Sequence, residues 1–259
     1  MSRSFTVVLV TLTGFGIYFL ADRLLFRLLM SFYNGFLHQV TLSYLLSYFS
    51  VLLPVIGATW FLHGRRTFDS LGMRNSPAKP FVFALICALP MAIGYSLVFD
   101  RNLDLTITTV VKGAVAAAFF EELIFRGFFF GMIFRYSRLG FIPSVLLPSL
   151  VFAALHLYQS EDPTVLAGIF VTTLLGSALF AWTYSEWNFN LWVSIFLHFF
   201  MNLSWMAFPA GDTALGGIWS NVFRAMTIAL IITGTLYYRR KKGERLQVNK
   251  SVLWLKPLN

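Results

Sequence analysis

The chain has 259 residues, of which 58% are hydrophobic, 18% aromatic and only 12% charged. Mean hydropathy is +0.72, and soluble domains carry about a quarter charged residues, so a soluble globular domain and a disordered chain are both excluded. Net charge is +9, but the basic residues cluster at the ends of apolar runs, which is the pattern of membrane topology rather than of nucleic-acid binding.

About 20 mostly apolar residues are needed to cross roughly 30 Å of hydrocarbon. Eight runs meet that need: Ser4–Ala21, Val40–Leu62, Pro80–Phe99, Thr106–Phe134, Phe141–Leu157, Val165–Tyr184, Leu191–Phe208 and Trp219–Tyr238. The first reads as an uncleaved anchor, because Phe19-Leu20-Ala21 lacks a small-x-small cleavage pattern. Leu24–Leu37, with Arg23, Arg27 and Asn34 among Leu and Phe, reads as a separate interfacial amphipathic helix. The expected fold is all-α: a polytopic transmembrane helix bundle of about eight spans, forming one integral membrane domain over residues 1–259. Eight spans leave both termini on one side. That side collects 14 of the 20 basic residues, so the positive-inside rule places both termini in the cytosol. The tail Arg239–Arg245 (RRKKGER) reads as a topology anchor and lipid-headgroup contact.

Ionisable groups inside spans are costly and default to function. Glu121, Glu122, Arg126, His156 and His198 stand out, with Asn202 as a polar companion. Glu122 and Arg126 are four apart and share a helix face, so their pairing neutralises one carboxylate. Glu121 projects about 100° away and stays unpaired by that contact, which separates a structural carboxylate from an available base. His198 and Asn202 are also four apart, and His156 lies one turn after Phe152. A doublet of glutamates in an apolar stretch is the strongest single signal. A lone Glu–Arg tie, a packing histidine or a chance HxxxN would each have a purely structural account, but all three in separate spans argue for a site. Other intramembrane chemistries lack their signatures. There is no HExxH for a zinc protease. A GxGD segment with two buried aspartates is missing, as is a GxSG with histidine. Glu-x-x-His motifs are too few for a di-metal centre, and Cys87 is the sole cysteine. No metal site and no cofactor are expected. A proton path through buried Glu and His stays open as an alternative.

Glu121-Glu122-Leu-Ile-Phe-Arg126, Phe152-Ala-Ala-Leu-His156 and His198-Phe-Phe-Met-Asn202 appear in that order, and in this the sequence resembles the CAAX-processing and bacteriocin-immunity membrane proteins. The proteolytic members of that family are glutamic intramembrane endopeptidases, with EExxxR, FxxxH and HxxxN in the fourth, fifth and seventh of eight spans. The resemblance covers about 106–206. It implies that Glu121 and His156 activate a water molecule, that His198 and Asn202 donate to the oxyanion, and that Glu122 and Arg126 orient the site. It further implies an endopeptidase cutting near a membrane-embedded or lipidated C-terminus. The expected partners are a membrane-associated protein or peptide, prenylated or not, and the lipid bilayer, with no nucleic acid. The expected setting is the cell membrane of a prokaryote. The alternative is a non-catalytic relative serving immunity, scaffolding or transport.

Overall fold

In hydrocarbon, a backbone satisfies its N–H and C=O groups only within helices or a closed barrel. The apolar runs of this chain take the first solution. The computed structural model describes residues 3–256, and among them it contains helices and turns with one isolated β-bridge, Leu139 to Leu255. Six helices are long and apolar enough to cross a membrane: Arg3–Leu37, Val40–Ser70, Ala78–Val98, Phe141–Gln159, Pro163–Glu186 and Ile218–Lys241. The shorter apolar helix Leu191–Ala207 joins them. So does the run 107–136, in which α and π stretches succeed one another without leaving helical backbone angles. The fold is an all-α, polytopic bundle.

Helix α1 (Arg3–Leu37) is one helix of 35 residues, where the sequence predicts a span ending at Ala21 and a separate interfacial helix. No proline or glycine interrupts the chain between Ala21 and Leu24, and the Arg23 guanidinium folds back over the Phe19 ring at 5.3 Å. The charged pair Asp22-Arg23 is therefore carried on the helix instead of ending it. The chain reverses at His38, whose φ of 52° lies in the left-handed region. It then enters α2 (Val40–Val51), which packs back on α1 through Phe26 against Tyr44 and Tyr48. Leu52 keeps right-handed helical angles between α2 and α3 (Leu53–His63), so Pro54 interrupts the bonding ladder while the helical path continues.

The run 107–136 is the centre of the molecule. Residues 122–134 are all buried, and a helix buried all round belongs in the middle of a bundle. Phe15 of α1 stacks on Phe129 at 4.2 Å, and Phe152 meets Phe125 edge-on at 5.0 Å. Gly131 lets Tyr184 approach: a Cβ there would sit 2.7 Å from the Arg126 carbonyl oxygen and 3.2 Å from the Tyr184 hydroxyl. Helix Leu191–Ala207 packs both on this central run and on Ala78–Val98, which in turn packs on Ile218–Lys241.

The C-terminal tail folds back over one end of the bundle. Gly140 and Ile142 donate their N–H groups to the carbonyls of Trp254 and Leu253 at 2.7 and 2.9 Å. The Lys256 ammonium donates to the Phe134 carbonyl at the end of the central run. Arg239, assigned by sequence to a lipid-facing tail, is only 4% exposed and pairs with Glu186 and Glu244. Its neighbours Arg240, Lys241 and Lys242 are exposed.

Candidate active site

The EExxxR segment straddles an α-to-π junction. Glu121 and Glu122 close a short α stretch, and Leu123–Phe130 continues in the wider π register, with a second π stretch upstream at Val111–Ala116. Such π insertions recur at functional sites because they re-aim side chains within an otherwise regular helix. Here the two glutamates receive opposite surroundings. Glu122 is fully buried. Its Oε1 accepts from Arg126 Nη1 at 2.9 Å and lies 2.8 Å from His198 Nδ1. Its Oε2 is buried without a hydrogen-bond partner. The Arg126 guanidinium completes its surroundings with aromatic faces, Phe152 at 4.5 Å and Phe180 at 5.5 Å. These contacts offset part of the cost of burying a cation.

The Glu121 side chain is 34% exposed and makes no hydrogen bond among the described residues. Its closest titratable neighbour is His198, whose Nε2 stands 4.0 Å from Glu121 Oε2. His198 thus bridges the pair, with one ring nitrogen on each glutamate. A carboxylate only accepts, so Nδ1 carries the proton given to Glu122, and Nε2 is the face turned toward Glu121. Asn202, one turn later, donates its Nδ2 to the carbonyl oxygen of Gly113 at 2.9 Å, in the upstream π stretch. His198 and Asn202 therefore face the central run together, at two different levels.

His156 lies just beyond the Phe141–Ala154 helix, before a 3₁₀ turn at Leu157–Gln159. Its Nδ1 sits 2.7 Å from the Phe152 carbonyl oxygen. A carbonyl only accepts, so Nδ1 holds the proton and Nε2 keeps its lone pair. Phe152 brings this segment onto Arg126, while His156 itself makes no hydrogen bond or ion pair with either glutamate among the described residues. The described residues contain no group of three or more His, Cys, Asp or Glu side chains arranged to hold a metal ion.

Residues 103–204 match the family model described as Rce1-like, type II CAAX prenyl endopeptidase Rce1-like. This segment belongs to the Rce1-like family. The family is one of proteases, and with the apolar helices it makes the chain an integral, multi-pass membrane protein of the CAAX-protease type. No curated protein and no solved structure matches the chain. All six residues singled out in the sequence fall inside the Rce1-like segment.

Outside the Rce1-like segment, the structure adds residues that sequence reasoning passed over. Tyr18 of α1 and Tyr44 and Tyr48 of α2 all lie within electrostatic reach of Glu121. The signal available was the spacing of Tyr44 and Tyr48, four apart in an apolar run, which puts two hydroxyls on one helix face. Which face they share with Glu121 depends on how α2 packs, and the sequence does not fix that.

Proposed function

We propose that the protein is an intramembrane endopeptidase in which Glu121, with His156, activates a water molecule to cut a membrane-associated chain near its lipid-embedded or prenylated C-terminus. The observation that carries this reading is the asymmetry of the glutamates. One is buried, paired and held by two cationic or protonated partners, and the other is partly exposed and free of hydrogen bonds. A carboxylate in the second situation is available to take a proton from water, whose oxygen then attacks the scissile carbonyl. His156 offers the unprotonated Nε2 described above as a second acceptor for that water. The tetrahedral oxyanion requires donors, and His198 and Asn202 are the polar groups one turn apart on the facing helix. His198 donates through Nε2 only as an imidazolium, and the Glu122 carboxylate on its Nδ1 compensates that charge, as a carboxylate does behind a catalytic histidine. Collapse of the oxyanion expels the amine, which takes up the proton Glu121 received.

The test is Glu121→Gln in purified, reconstituted protein, with cleavage of membrane-peptide substrates followed by mass spectrometry. Removing a general base of this kind costs about 10²–10⁴ in rate, and an amide of the same size leaves the thermal unfolding profile unchanged. Near-normal cleavage by a well-folded variant overturns the mechanism. Unchanged processing of membrane proteins in cells with and without active protein favours the non-catalytic alternative.

In the same reading both termini are cytosolic, as the charge distribution requires. A cysteine introduced at the exposed Lys250 is expected to resist an impermeant thiol reagent in intact cells. It reacts once the membrane is opened. Labelling in intact cells reverses the orientation.

A further inference from the structure

The seam between α2 and the central run carries a line of polar groups. At one end, the hydroxyls of Thr41 and Thr108 meet at 3.0 Å. Next, the Lys112 ammonium stands over the Tyr44 ring, 5.1 Å from its centroid. The Tyr44 hydroxyl donates to that of Tyr48 at 3.5 Å, and Tyr48 stacks on Phe120 at 4.7 Å with the rings 14° from parallel. Glu121 follows at once, and its charge reaches both tyrosines. Tyr158, two residues past His156, also lies within reach of Tyr44. The line therefore runs from Lys112 to the glutamate that the proposed mechanism uses. Lys112 itself has no carboxylate within ion-pair distance among the described residues. A cation on a membrane-embedded helix ordinarily has a partner, and one phenol face supplies only part of that compensation.

We propose that Lys112, with Tyr44 behind it, binds the free α-carboxylate of the substrate, so that the span from Lys112 to Glu121 sets how many residues are removed. This rests on the endopeptidase reading above. Nine residues of helix separate the two, a rise of about 13 Å. An extended chain advances roughly 3.3–3.6 Å per residue, so the gap accommodates about three to four residues between the cut bond and the terminal carboxylate. A C-terminal box of one cysteine and three following residues meets that measure. Its terminal carboxylate is the anion that the seam lacks. The rival occupant is a lipid phosphate.

The experiment uses a farnesylated peptide ending in Cys-Val-Ile-Met, as the free acid and as the C-terminal amide, with wild-type, Lys112→Met and Lys112→Arg proteins. Binding of both peptides is also measured to Glu121→Gln protein, with and without Lys112→Met. Wild-type protein is expected to prefer the acid over the amide by about tenfold or more in kcat/KM, the size of one good charged contact. Lys112→Met treats the two peptides alike, and Lys112→Arg restores the preference. Equal cleavage of acid and amide by wild-type protein, or a preference that survives in Lys112→Met, overturns the subsite and leaves the endopeptidase reading standing. If wild-type protein cleaves neither peptide while Glu121→Gln binds the acid selectively through Lys112, the subsite holds and the proteolytic reading falls. Neither cleavage nor selective binding overturns the proposal. So does thermal protection by phosphatidylglycerol vesicles that disappears in Lys112→Met while both peptides bind equally, which assigns Lys112 to a lipid phosphate.

Discussion

Two buried carboxylate–guanidinium pairs lie in this molecule, and they are built differently. Glu186 is fully buried at the end of its helix, and both of its oxygens are used: Oε2 accepts the backbone N–H of Gln247 at 3.0 Å and Oε1 that of Val248 at 2.9 Å. Arg239 stands beside it at 3.5 Å and also engages Asn188, Glu244 and the Arg245 carbonyl. That pair is a clasp for the returning tail. Glu122 concentrates its partners on one oxygen and leaves the other bare, next to a second glutamate that has no hydrogen bond at all. Burial and an ion pair are common to both places, so neither marks a site. The difference is unused hydrogen-bonding capacity in a low-dielectric setting, which is costly to keep and is retained where a reacting group or water is to be received.

The comparison is sharpest at the arginines. Arg126→Ala leaves Glu122 buried with only His198 beside it. Breaking a buried pair costs on the order of 3–5 kcal/mol. A markedly lower melting temperature and loss of cleavage together are expected, measured by thermal unfolding and peptide turnover. An unaltered melting profile removes the bridge from the account. Asn202→Ala is the next largest effect. If its amide serves the oxyanion, turnover falls by about 10²–10³ with little change in KM; a rise in KM at constant kcat makes it a substrate-binding group instead.

Arg239→Ala probes the other pair. Glu186 keeps its two backbone donors, so the loss is expected near 1–3 kcal/mol, with faster proteolysis of residues 243–256 and retained cleavage activity. Activity lost in step with tail release would tie the clasp to the site. The smallest effect belongs to Lys256→Met. It removes a cation from the carbonyl end of the central run and costs about 0.3–1 kcal/mol. A larger loss would show that the tail holds the central helix in place.

Much of the fold was legible in the sequence because the bilayer imposes a simple rule: long apolar runs become helices. The predicted run Pro80–Phe99 is the helix Ala78–Val98, and Val165–Tyr184 is Pro163–Glu186. The Glu122–Arg126 pair was equally legible, because a spacing of four fixes neighbours on one helix whatever surrounds it. Local sequence also sets the breaks that proline makes, as at Pro54. What it did not decide is anything that depends on which helix lies beside which. The continuity of α1 past Asp22 and Arg23 follows from its packing on α2. The tail's return follows from Glu186, one acid among 11 with no motif around it. His198 reaches both glutamates across 76 residues of chain, and the tyrosines of α2 reach Glu121 from outside the motif-bearing segment. A helix's face is written in its periodicity, but in a bundle whose helices are apolar on nearly every side, hydrophobicity does not select the neighbour. Close packing of particular rings and glycines, and the need to satisfy a few buried polar atoms, make that selection, and only the tertiary structure records it.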